Sequence, residues 1–196
     1  MADELATLDD RTLLELSRGG DADRERAALA LYERYKDEVY SFLLRLLGDV
    51  SLAEDAAQEA FYRLYRSLDR FDPERSFKPW LYQIVRNAGI DALRARKKER
   101  LMSGKADEGD LATEPGAVPD EASRLESIDD ARQAILALGD ESRALLLQRH
   151  GLGLDVKELA ASFSCTERTI RNRLHAAGEE VLAVLARLRA GKGGRT

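Results

Sequence analysis

A single cysteine, Cys165, rules out an internal disulfide, and with only two histidines, His150 and His175, no Cys/His spacing resembles a zinc site. No apolar run approaches membrane-spanning length. The opening residues, MADELATLDD, are acidic where a secretory leader would be basic and then apolar. The expectation is a soluble, cytoplasmic chain with no direct membrane insertion. There is no Gly-rich phosphate loop, no metal constellation and no nucleophile–base pair, so neither an enzyme nor a cofactor or metal is expected. A net charge of −5 excludes a uniformly basic nucleic-acid coat and leaves room for local basic surfaces.

What the 196 residues do have is helical periodicity almost everywhere, and no convincing strand alternation. YKDEVYSFLLRLLGDV puts Val39, Leu43, Leu46 and Leu47 on one side, with Gly48 as the stop. SLAEDAAQEAFYRLYRSL opens with Ser51 and Glu54 in capping-box spacing and carries a stripe of Leu52, Ala56, Ala60, Leu64 and Leu68. Asp72 and Pro73 then break the pattern. From Ser103 to Arg124 the sequence is rich in Gly, Pro and acids, with six acidic residues against two basic ones, and reads as a linker. Periodicity resumes at Leu125. The fold class expected is all-α: two small helical domains, 1–102 and 125–190, joined by a flexible acidic linker, 103–124, with a frayed tail at 191–196.

Two helices carry more than a core face. In RSFKPWLYQIVRNAGIDALR, Leu81, Ile84, Val85, Ala88 and Ala92 form an inner face. Gln83, Arg86, Asn87, Ile90 and Arg94 form the opposite one, with almost no acid among them. In DVKELAASFSCTERTIRNRLHAAG, Asp155 and Glu158 suit the start of a first helix, SCT is a turn, and Thr166 caps a second. Ile170, Leu174 and Ala177 of that second helix point inward, leaving Arg168, Arg171, Asn172 and His175 outside. A helix of this size fits a DNA major groove, and Arg and Asn can bond base edges in pairs. A solvated surface face gives the same periodicity. Cys165, in the turn, reads as a small buried apolar side chain, and Trp80 as a core anchor.

Three motifs in order, LAEDAAQEAFYRLYRSLDRFDP, FKPWLYQIVRNAGIDALR and VKELAASFSCTERTIRNRLHAA, resemble the extracytoplasmic-function sigma factors over about Asp9 to Leu188. The resemblance implies a promoter-opening sigma domain 2, a tether and a helix-turn-helix sigma domain 4, acting in stress-responsive transcription initiation. It implies capture of the non-template −10 strand by Phe77, Lys78, Gln83, Arg86, Asn87 and Arg94, with the loop from Asp69 to Phe77 forming a pocket for an extruded base. It implies readout of the −35 duplex by Thr166, Arg168, Thr169, Arg171, Asn172, Arg173 and His175.

Docking of Asp55, Gln58, Glu59 and Tyr62 on the clamp helices of the largest subunit of core RNA polymerase is implied in the same way. So are a contact with the flap of the second-largest subunit, promoter DNA as ligand, and a cognate anti-sigma factor. Asp91 would be costly beside phosphates and is expected to bond a neighbour. Two promoter elements nearly two turns apart, roughly 60 Å at about 34–36 Å per turn, exceed the roughly 25 Å mean span of a tether of about 22 residues. The tether must therefore be drawn out when both halves bind. Ser164 stands where the family often has glycine. The alternative reading is a stand-alone helix-turn-helix repressor or activator, which leaves the Arg/Asn/Gln stripe unexplained.

Overall fold

Aspartates cap three of the described helices, because a carboxylate can accept from backbone N–H groups that have no partner inside the helix. The computed structural model describes residue 5 and residues 7–72, 74–103 and 130–193. Helix α1, Asp10–Leu16, begins where Asp9 accepts from the Thr12 N–H at 2.7 Å. Helix α2, Asp21–Leu47, ends on Gly48 at φ 68°, a left-handed position that suits glycine. Helix α3, Val50–Ser67, is capped by Asp49, which accepts from the Leu52 N–H at 2.9 Å. The Ser51–Glu54 pair expected as a capping box lies inside the helix instead, two residues too late. A 3-10 turn, Leu68–Arg70, closes α3, and after the break α4 runs over Phe77–Ser103.

The second half starts with a short helix α5 over 130–136. Helix α6, Asp140–Leu146, follows and passes straight into a π-helical turn, Leu147–Gly151. Helix α7, Val156–Ser162, has the expected capping box: Asp155 accepts from the Glu158 N–H and Glu158 accepts from the Asp155 N–H, both at 2.8 Å. Helix α8, Glu167–Gly193, begins where Thr166 Oγ1 accepts from the Thr169 N–H at 3.2 Å and continues three residues past the expected boundary at 190. Most of the expected tether lies outside the described residues, as does the end of the tail. None of the described helices is long and apolar enough to cross a membrane.

Helices α2, α3 and α4 form a bundle whose stripes meet in Val39, Leu43, Leu46, Ala56, Ala60, Leu64, Leu81 and Val85. The two halves share that core. Leu145, Leu147, Leu159 and Phe163 belong to the same buried cluster as Leu81, Tyr82 and Val85, and α4 packs directly on α7. Gln148 and Arg143 are among the buried polar side chains that cross the seam. Gln148 Nε2 donates to the Tyr82 carbonyl at 3.1 Å, and Arg143 Nη1 donates to the Leu46 carbonyl at 2.6 Å. Arg143 thereby satisfies a carbonyl of the last turn of α2, and Gln148 adds a second bond to a carbonyl inside α4.

Candidate nucleic-acid interface

Helix α4 is anchored at its start by aromatic packing. Trp80 lies 4.6 Å from Phe71 and 5.9 Å from Phe77, ring centre to ring centre, and Phe71 and Phe77 meet edge-on at 5.9 Å. Trp80 is half-buried in this cluster, and Phe77 is fully packed into it. Phe77 is therefore a core residue under the loop, not an exposed strand contact. Lys78 pairs with Glu38 at 2.9 Å.

The stripe expected to face outward splits in two. Asn87 and Arg94 are exposed. Arg86 and Ile90 are buried, at 8% and 4% exposure. Arg86 Nη1 donates to the Ser162 carbonyl at 3.1 Å and Nη2 to Asn87 Oδ1 at 3.0 Å, while its guanidinium sits 4.1 Å from the Phe163 ring centre. Its Nε has no hydrogen-bond partner. Burial lowers its pKa; the carboxylate of Glu141 opposes that shift and the charge of Arg173 adds to it. Next to it, Gln83 Nε2 donates to Ser164 Oγ at 3.0 Å. The reason for the difference is tertiary: α7 and its following turn cover the middle of the stripe.

The helix-turn-helix is formed as expected. Its turn places Ser164 at φ 50°, the left-handed position that glycine fills more easily. The Cys165 N–H bonds the Ala160 carbonyl at 3.0 Å and its side chain is half-buried. On α8, Arg168, Arg171, Asn172, Arg173 and His175 are all exposed, and Thr169 is half-buried. Arg171 is held by Glu167 at 2.6 Å, and His175 lies 3.5 Å from Glu179. Both pairs are exposed, where such ion pairs hold a side chain only weakly.

The third expected surface is open. Asp55, Gln58, Glu59 and Tyr62 are exposed along α3, with Tyr62 55% accessible. Arg63 fastens this face to α4: it bonds Glu59 at 2.7 Å and Asp91 at 2.8 Å, bonds that raise its pKa. Asp91, expected to bond a neighbour, does so through Arg63. The residues sequence reasoning passed over are Arg143, Gln148 and Ser162, which join the halves. Gln148, a lone amide in the run LLLQRH, was the available signal.

Residues 31–99, which hold most of α2 and all of α3 and the paired part of α4, match the sigma-70 region 2 family. Over 170 residues the chain is 33% identical to the ECF RNA polymerase sigma factor SigW of Bacillus subtilis, covering 83% of this chain and 89% of that protein. It is 30% identical over 179 residues to the RNA polymerase sigma-H factor of Pseudomonas aeruginosa, covering 88% and 91%. In fold it resembles CnrH, solved with the cytosolic domain of CnrY, with a TM-score of 0.65 at 22% identity, covering 90% of this chain and 97% of that one. RpoE of Bartonella quintana, solved with the anti-sigma factor NepR, gives a TM-score of 0.64 at 22% identity over 79% and 94%. With three surfaces spaced along α3, α4 and α8 and relatives matched over nearly their whole length, the chain belongs to the ECF RNA polymerase sigma factors.

Proposed function

We propose that this protein is a non-catalytic specificity subunit that carries three separate contacts to the start of transcription. The α3 face of Asp55, Gln58, Glu59 and Tyr62 docks on core RNA polymerase. The α8 face of Arg168, Arg171, Asn172, Arg173 and His175 reads the −35 duplex, with Thr166 and Thr169 at its N-terminal end. Lys78, Gln83, Arg86, Asn87 and Arg94 on α4 hold the opened −10 strand. The observation that carries this reading is the α8 face, a row of cationic and amide side chains at groove-facing spacing, exposed at the end of a formed helix-turn-helix.

The acidic α3 surface suits a partner rich in arginine, since complementary charge raises association rates and excludes wrong partners. Both structural neighbours were solved with protein partners, CnrH with CnrY and RpoE with an anti-sigma factor. That supports an anti-sigma protein as the regulator of this chain too. Such a role on polymerase and promoter DNA implies a cytoplasmic protein. The test is transcription in vitro with core polymerase and a panel of promoters. Start-site selection by the added chain supports the reading. Tight duplex binding without polymerase, and no effect on initiation, would favour a stand-alone repressor or activator.

A further inference from the structure

Among the described residues, Arg86 is a buried charge with no countercharge bonded to it. It is 8% exposed, it donates to the Ser162 carbonyl and to Asn87 Oδ1, and its Nε has no partner. Neutral acceptors restore only part of the hydration that a buried cation has lost. A cavity of about 490 Å³ opens beside it, with Arg173 on the opposite wall and Leu145, Phe163 and Ala176 between. We propose that this cavity binds a small organic phosphate monoester, its phosphate held by Arg86 and Arg173 and its body laid on the apolar wall.

The charges on the page call for an anion. Arg86 and Arg173 come from different helices, α4 and α8, and lie close enough that the charge of Arg173 adds to the fall in the pKa of Arg86 that burial causes. Arg173 bonds no carboxylate among the described residues. Two cations held near each other repel, and an anion between them turns that repulsion into two attractions. Several N–H donors of Arg86 are left over after its two bonds, and its plane is steadied by the Phe163 ring at 4.1 Å. A guanidinium fork matches the oxygens of a carboxylate or a phosphate. One fork uses up a carboxylate, whereas the three terminal oxygens of a phosphate monoester can serve two. Ser142, on the same cavity, adds a hydroxyl donor.

Size and the remaining charge narrow the ligand. The cavity falls in the range of roughly 300–1,000 Å³ found for small-molecule sites, more room than inorganic phosphate fills. Leu145, Phe163 and Ala176 offer the rest of the ligand apolar surface to cover. Glu141 lines the cavity too and is exposed, and its carboxylate opposes the effect of burial on Arg86. It repels further phosphates, so a single terminal phosphate suits the site better than a polyphosphate chain. Both arginines are given to DNA in the functional reading, and a bound ester would compete with nucleic acid for them. The site itself does not rest on that reading.

The test is isothermal titration calorimetry on the full chain, with phenyl phosphate and inorganic phosphate as probes at matched ionic strength. Phenyl phosphate should bind saturably and at least about tenfold more tightly than inorganic phosphate, because only the ester covers the apolar wall. Arg173→Gln removes one of the two forks from an exposed position, so the chain should stay folded by circular dichroism while binding phenyl phosphate about tenfold more weakly. Glu141→Gln removes the repelling carboxylate and should tighten binding about threefold. Arg86→Gln should abolish binding; because that side chain is buried and the variant can lose its fold, Arg173→Gln and Glu141→Gln decide the matter. Absence of saturable binding by phenyl phosphate would overturn the site, as would folded Arg173→Gln protein that binds it as tightly as the parent. Inorganic phosphate binding as tightly as phenyl phosphate would overturn the monoester, since the apolar wall would then hold nothing.

Discussion

Two buried arginines show how differently one residue type is used. Arg143 donates to the Ile135 carbonyl at 3.1 Å, the Leu46 carbonyl at 2.6 Å and the Leu138 carbonyl at 3.0 Å, and also bonds Leu136. It gathers the end of α5, the turn after it and the end of α2 around one fork, and burial lowers its pKa as it does for Arg86. Loss of that fork leaves several carbonyls without a donor. Arg143→Met should therefore cost about 3 kcal/mol or more in urea unfolding, given roughly 1.5–3 kcal/mol for a single charged hydrogen bond. Arg171 stands at the other extreme. It is exposed, and its partner Glu167 lies on the same helix. Arg171→Ala should leave the unfolding midpoint almost unchanged and weaken −35 duplex binding by about 1–3 kcal/mol, read in a competition assay against altered duplexes.

At the scale of elements, the helices and their ends were largely readable, and the faces only in part. Asp155 with Glu158, Thr166 and Gly48 all stand where their local chemistry placed them. Asp49 displaced Ser51 as the cap of α3 because both are good acceptors a turn's fraction apart, and only the chain's entry direction selects between them. Helix α4 was the harder case. A helical period reveals the strongest stripe, but α4 is buried on two sides, by α2 and α3 on one and by α7 on the other. Ile90, the lone large apolar residue in the supposed outer stripe, is itself buried and was the sign that this face is not wholly exposed.

The first burial depends on Gly89. A Cβ there would meet Leu46 Cδ2 at 2.7 Å and Leu43 Cδ2 at 3.0 Å, both in fully packed side chains. Gly89→Ala gains up to about 1 kcal/mol of helix propensity but meets an overpacking cost of about 1–3 kcal/mol. The expected net effect is a destabilisation of about 1 kcal/mol, measurable as a lower urea midpoint. Unchanged or higher stability would mean that the α2–α4 spacing is looser than these contacts indicate.

Across the whole molecule, the α7 seam and the acidic face of α3 lie on different surfaces. The seam covers Arg86 and Gln83, whereas the α3 face stays open and is braced from behind by Arg63, which holds Glu59 and Asp91 together. On the docking role proposed above, the charge of that face sets how fast the chain meets a basic partner, and salt screens the attraction within about 8–10 Å. Asp55→Asn with Glu59→Gln should therefore slow association with core polymerase by about threefold to tenfold at low salt and approach the parent rate as salt is raised. Arg63 keeps its bond to Asp91 in this variant, so the urea midpoint should hardly move. Interferometry with immobilised polymerase measures the rates, and equal rates at low salt would remove the α3 face from the contact.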